Sequence, residues 1–307
     1  MTLESQEAPL DGLTDLLTLI GPSGDEGAVA DWLAVGLLGI PEVATTRIGD
    51  SIVAVRGRPR TAVFAHTDTV GFTLGYERKL IRIGGPQPED GDEVRCALGL
   101  TGRIRVKNGA LLLRRVRTAD GERADSLPGT RWVYARPPQI QRGTITSPYL
   151  DDRAGVFCAL DALRNCSNIA VAFCTGEEVH GHGARVCAEY LHAQHGITQA
   201  LIADITWHTD DTPCGKGVVV SLRDAFCPRQ TFLDRVLALA EKSGIPHQRE
   251  IQSSGSSDGG HLFKSTVPMD WVFVGAPSKK PHTSREKIRL RDLAGMADLL
   301  VYLANTL

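Results

Sequence analysis

Apolar residues recur along this chain at two spacings. In DGLTDLLTLI (residues 11–20) and DEGAVADWLAVGLL (25–38) they fall three and four apart, with an acidic residue near each start, which predicts two helices. SIVAVRG (51–57) and TAVFAHTD (61–68) are short, apolar and rich in β-branched or aromatic residues, which predicts strands. Beyond residue 150 the two patterns alternate. DDRAGVFCALDALRN, GARVCAEYLHAQH, QTFLDRVLALAEKSG and LRDLAGMADLLVYLANTL read as helices. IAVAFCT, ALIADIT, VVVSLRD and MDWVFVG read as strands. Strands apolar throughout their length are buried on both faces. The expected fold is therefore α/β, a mostly parallel but mixed sheet with helices on both sides.

Residues 73–146 break this rhythm. ERKLIRIGG, LTGRIRVKNGALLLRRVR and RWVYARPPQ alternate over short stretches and are separated by Gly, Pro, Asp and Asn. They predict an inserted small β-barrel or sandwich, with 1–72 and 147–307 forming the main domain. Asn108-Gly109 is the strongest hairpin signal, because both residues suit the φ > 0 positions of a tight turn.

Composition narrows the class. The 307 residues are 42% hydrophobic and 23% charged with a net charge of −2, ordinary for a globular enzyme and unlike a nucleic-acid or anionic-membrane binder. The start, MTLESQEAPLDG, lacks the basic and apolar regions of a signal peptide. No apolar run approaches the roughly 20 residues of a membrane span. The seven cysteines are odd in number and show no CxxC spacing, which predicts reduced thiols and a cytoplasmic protein.

Chemistry-bearing side chains concentrate where the strands end. His66 closes one strand, and Asp68, two residues on, shares its face and can fix its tautomer. Asp151 and Asp152 precede a helix, as a helix cap or, for Asp151, as a bridge between two cations. Glu177 and Glu178 follow a buried strand: solvated carboxylates, or a proton carrier (Glu177) beside a ligand (Glu178). Asp204 emerges from an apolar run and needs a partner or a metal, while His282 lies in a polar loop after the last long strand. His180 and His182 sit in a Gly-flanked loop and are weaker ligand candidates. The loop from Ser253 to His261, with Ser257, Asp258 and Gly259 at its centre, is the expected substrate-binding segment from its place before that strand. Two histidines and three carboxylates suit a pair of divalent cations, with Zn²⁺ preferred and Co²⁺ or Mn²⁺ as alternatives.

HTDTVGF, LDDRAG, TGEEV with a following GA, ADITWHTDDTP with GKG, SSGSSDGGH, and PHTSREKI with LRDL together resemble the tetrahedral aminopeptidases. These are the glutamyl/leucyl aminopeptidase family of co-catalytic two-metal exopeptidases. The resemblance implies a zinc-peptidase-like fold in which His66 and Asp204 hold one metal, Glu178 and His282 the other, and Asp151 bridges them. It further implies Glu177 as general base, Asp68 orienting His66, and a cis peptide after Asp151. The implied activity is removal of an N-terminal amino acid from peptides by a water bridging the two metals, in a homo-oligomer, dimer or dodecamer. The chain departs from the family in its short insert, in VHGHGA after the glutamate pair, and in SSGSSDGG where Gly-Gly-Thr-Asp-Ala is usual. N-acyl amino-acid deacylase or carboxypeptidase action on the same metals, or a non-catalytic binding role, are the alternatives.

Overall fold

The computed structural model describes residues 10–179 and 181–307. The start of the chain (1–9) and His180, both read above, lie outside the described residues. Two helices, α1 (Asp11–Thr18) and α2 (Gly27–Leu38), lead into β1 (Val43–Ile48), β2 (Ser51–Arg56) and β3 (Ala62–His66). Eight strands follow: β4 (Gly71–Leu74), β5 (Leu80–Ile83), β6 (Glu93–Arg95), β7 (Thr101–Lys107), β8 (Ala110–Arg117), β9 (Arg131–Tyr134), β10 (Gln139–Gln141) and β11 (Thr144–Ser147). Helices and strands then alternate through α3 (Leu150–Asn165), β12 (Ile169–Cys174), α4 (His182–His195), β13 (Gln199–Trp207) and β14 (Val218–Arg223). The chain finishes with α5 (Gln230–Ser243), β15 (His247–Ile251), α6 (Asp258–Phe263), β16 (Asp270–Lys279), β17 (Glu286–Arg289) and α7 (Leu290–Thr306).

The larger sheet runs β1-β2-β12-β3-β13-β16-β17-β11-β10, with β14 and β15 branching from β16. Its centre, β12-β3-β13-β16, is parallel. The flanking pairs β1-β2, β2-β12, β16-β17 and β10-β11 are antiparallel, so the sheet is mixed. Alternation along the central strands sorts side chains to two cores. Val63, Ala65, Val171 and Phe173 join Leu13, Leu33, Leu163 and Leu300 from α1, α2, α3 and α7. Phe64, Ala172 and Cys174 face the opposite way, onto Ala184, Cys187 and Leu191 of α4 and Leu262 of α6. Burial on both faces is why these strands read as unbroken apolar runs.

Gly155 lets α3 approach the sheet, because a Cβ there would collide with the Ala203 carbonyl oxygen and the Asp152 carboxylate. The seven cysteines are unpaired. Among the described residues no helix is long and apolar enough to cross a membrane.

The second sheet is antiparallel, in the order β5-β4-β9-β6-β7-β8. Its β7-β8 turn is the Asn-Gly hairpin: Lys107 pairs with Ala110, and Asn108 and Gly109 have φ of 50° and 76°. Lys79 forms a bridge to Leu112, bringing the chain beside β5 against β8. Residues 139–147 leave this sheet, since β10 and β11 pair onto β17 in the larger one.

Candidate active site

The C-terminal ends of the parallel strands open on one cavity of about 420 Å³. β3 ends at His66, β12 leads to Glu177 and Glu178, β13 carries Asp204, and the loop after β16 carries His282. Asp151 enters from the first turn of α3, where Asp151 and Asp152 leave helical geometry and the peptide between them is cis.

Asp151 lies between the two imidazoles. Its Oδ1 is 3.1 Å from His66 Nε2 and its Oδ2 is 3.1 Å from His282 Nε2. Asp204 Oδ1 approaches His66 Nε2 to 3.8 Å, and Glu178 Oε1 approaches His282 Nε2 to 3.4 Å. Two sets of donors result, each with its atoms within 4.8 Å of one another: His66, Asp151 and Asp204, and Asp151, Glu178 and His282. Asp151 belongs to both. Glu177 Oε2 stands 4.0 Å from His66 Nε2.

Surrounding groups fix these side chains. Asp68, fully buried, accepts hydrogen bonds from the backbone amides of Glu177 (3.0 Å) and Glu178 (3.1 Å) and from the Ser23 hydroxyl (2.6 Å). Its Oδ1 lies 3.4 Å from His66 Nδ1, which in the neutral ring favours the proton on that nitrogen and leaves Nε2 for the Asp151 side. His282 Nδ1 lies 3.2 Å from the Gly85 carbonyl, an acceptor only, so in the neutral ring it is Nε2 that offers a lone pair to the cavity. Glu286 accepts from the amides of both Asp151 (3.0 Å) and His282 (2.9 Å).

Electrostatics test what the cavity holds. Burial drives the Glu177 and Asp204 carboxyls well above the usual range, and Glu178 up to about 8, with neighbouring carboxylates adding to each. Burial also opposes charge on the imidazoles. The carboxylates outweigh it, taking His66 well above its ordinary value and His282 to about 10. Burial would raise Asp151 too, but the two histidines hold it low. Carboxylates crowd two imidazoles here, and the buried Glu178 Oε1 takes no hydrogen bond. Divalent cations would relieve both deficits, since they neutralise clustered carboxylates and complete the empty valences. The donor set, two imidazoles and carboxylates, suits such ions.

The predicted substrate loop divides. Ser257 lines the cavity and caps α6, accepting from the Gly259 amide at 3.2 Å. Asp258 and Gly259 do not line it. Asp258 is buried, with burial raising its pKa to about 7, and a Cβ on Gly259 would strike Trp271. α6 turns these two residues inward, a rotation that a Gly/Ser-rich loop does not announce. His182 is exposed at the start of α4, and neither donor set includes it.

Three contributors escaped the sequence reading. Glu286 sits in a run of charged residues that looks solvated, yet is 1% exposed. Ser23 follows a turn remote in sequence from Asp68. Arg153, also fully buried, donates to the Thr67 carbonyl. Burial lowers its pKa to about 10 against the pull of Asp68 and Asp152.

Known proteins share this architecture. An aminopeptidase from the archaeon Desulfurococcus kamchatkensis superimposes with a TM-score of 0.85 at 22% identity, over 97% of this chain and 95% of that one. A TET aminopeptidase from the marine sediment archaeon Thaumarchaeota archaeon SCGC AB-539-E09 gives 0.85 at 23% identity, over 97% of each chain. The Pyrococcus horikoshii TET1 peptidase, which assembles into a tetrahedron or a large octahedral shell, gives 0.83 at 20%, over 98% of this chain and 100% of that one. At such identities these likenesses speak for the fold. The sequence model of the M42 glutamyl aminopeptidases matches residues 116–299, more than half the chain, spanning Asp151, Glu177, Glu178, Asp204 and His282. The chain thus belongs to the M42 glutamyl aminopeptidase family.

Proposed function

We propose that the protein is a metal-dependent aminopeptidase that hydrolyses the N-terminal peptide bond of peptides. One observation carries the reading: a single carboxylate, Asp151, stands 3.1 Å from two imidazoles that belong to different donor sets. His66 and Asp204 would hold one divalent cation, Glu178 and His282 a second, and Asp151 both. Zn²⁺ fits the mixed imidazole and carboxylate donors best, with Co²⁺ and Mn²⁺ as alternatives. When bound, the cations supply electrophilic activation of a carbonyl and bring the pKa of a water toward neutrality.

The chain's own residues do the remaining work. Glu177 faces the cavity beside His66 without bonding the imidazole, so its carboxyl can take a proton from the attacking water and pass it to the departing nitrogen. Asp68 holds the backbone of Glu177 and Glu178 while orienting His66, coupling base and ligands through one buried side chain. Ordering by Asp68, Glu286 and Gly85 fixes the donors before substrate arrives, which is where positioning contributes to rate.

The same reading takes residues 73–146 as an inserted domain, a small barrel closed where Lys79 meets Leu112. It also expects a cytoplasmic homo-oligomer, dimer or dodecamer, in keeping with the assembly of the Pyrococcus horikoshii relative. A panel of aminoacyl-p-nitroanilides beside N-acetyl amino acids, with added Zn²⁺ or Co²⁺, tests the activity. Release of nitroaniline is expected. Cleavage confined to the acetylated compounds would point to a deacylase, and no cleavage with metal bound to a binding protein.

A further inference from the structure

The cavity continues past the ligand cluster to a second wall. Ser221 and Asp224 form part of it at the end of β14, Glu250 and Gln252 at the end of β15, Ser256 before α6, and Phe273 on β16. Among the described residues neither lysine nor arginine lines the cavity. Its far wall carries two carboxylates, Asp224 and Glu250, with no lysine or arginine among the described lining residues.

Glu250 is 5% exposed, and its contacts leave it undercompensated. Oε1 accepts from the Thr206 hydroxyl at 2.5 Å and from Gln252 Nε2 at 2.8 Å, both neutral donors. Oε2 takes no hydrogen bond from a described residue. Asp224 accepts from the Phe226 amide at 2.6 Å. The neighbouring Arg223 spends its Nε on the Asp224 backbone carbonyl instead of the carboxylate. Burial raises the Asp224 pKa and the Glu250 charge adds to it, while backbone hydrogen bonds and the Arg223 charge pull the other way. A sequestered carboxylate held only by neutral donors is an incomplete arrangement that a cation completes. Phe273, on the same wall, offers an aromatic face for a methylene stem or a guanidinium.

An exopeptidase must place the substrate's α-amine and scissile carbonyl at the ligand cluster, so only the N-terminal side chain can reach the far wall. We propose that Asp224 and Glu250 receive that side chain and make the protein selective for peptides beginning with lysine or arginine. This rests on the aminopeptidase reading and sharpens it. A glutamyl side chain would set a third anion against the two carboxylates of that wall.

Two readouts on the metal-loaded protein separate the inference from the reading beneath it. One is kcat/KM on lysyl-, arginyl-, leucyl- and glutamyl-p-nitroanilide. The other is calorimetric binding of the free amino acids L-lysine, L-leucine and L-glutamate. Lysyl and arginyl substrates are expected to exceed leucyl by about 10-fold or more, and glutamyl by a wider margin, with L-lysine the tightest ligand. In a double variant, Asp224→Asn with Glu250→Gln, the advantage should shrink to within about threefold, mainly through KM, with metal content retained. Asp224→Asn alone, at the less buried position, should remove part of it. Leucyl or glutamyl substrates cleaved as well as lysyl ones, or a lysine advantage untouched by the double variant, would overturn the proposal. No cleavage of any substrate, with L-lysine still preferred and that preference lost in the double variant, would uphold the acidic pocket and refute the aminopeptidase reading. No cleavage and no preference would reject both.

Discussion

Glu286 is the least conspicuous residue of the site and one of the most constrained. Both of its carboxylate oxygens are committed, one to the Asp151 amide and one to the His282 amide, so it sets the spacing between a shared donor and an imidazole. In Glu286→Gln an NH₂ group must face one of those N–H donors. Metal affinity should fall about 10–100-fold, read by competition with a chromophoric chelator, the usual scale for losing a group that orients ligands. Unchanged affinity would show that the two amides need no anchor. Glu177→Gln separates chemistry from binding: metal stoichiometry should hold while turnover drops about 10²–10⁴-fold. Full activity in that variant would remove Glu177 from the proton path. Legibility at this scale followed environment. His66, Glu178 and Asp204 were visible because each abuts an apolar run. Glu286 was not, because burial inside a charged segment leaves no mark on spacing, and Asp258 misled because its helix turns it inward.

At the scale of elements, the parallel centre of the sheet works as a jig. Residues on β3, β12 and β13 can converge only if those strands keep their register, and α3 must lie close enough to deliver Asp151. Gly155→Ala would push α3 away from β13, since the added methyl has only the Ala203 carbonyl and the Asp152 carboxylate to meet. A loss of about 1–3 kcal/mol is expected in denaturant unfolding of the metal-free protein. Phe173→Ala in β12 should cost more, about 3–5 kcal/mol, because it empties a fully buried aromatic position in the larger core. If either variant unfolds like the parent, the packing at that contact is looser than described. The doubly buried strands were plain in the sequence for this same reason. Strands β1, β15 and β17 were not, since VATTRI, HQREI and EKIR are short, largely polar segments, at an edge, on a branch and between β16 and β11 respectively. The Asn-Gly hairpin was legible because its turn geometry is a local property.

For the whole molecule, the site is an electrostatic liability that bound cations resolve. Asp151, Glu177, Glu178 and Asp204 share one cavity with two imidazoles. Chelation should therefore lower the unfolding temperature in scanning calorimetry, and reloading should restore it. Metal at 100 times its dissociation constant contributes about 2.7 kcal/mol per site. Identical melting of stripped and loaded protein would mean that the cluster is stable without cations. The arrangement itself, four donor residues drawn from positions 66 to 282 around a fifth, Asp151, is tested most directly by anomalous diffraction from metal-loaded crystals. Two peaks are expected for each chain, one beside His66 and Asp204 and one beside Glu178 and His282, both in contact with Asp151. A lone peak, or a pair that does not touch Asp151, would contradict the shared carboxylate on which the proposed chemistry depends.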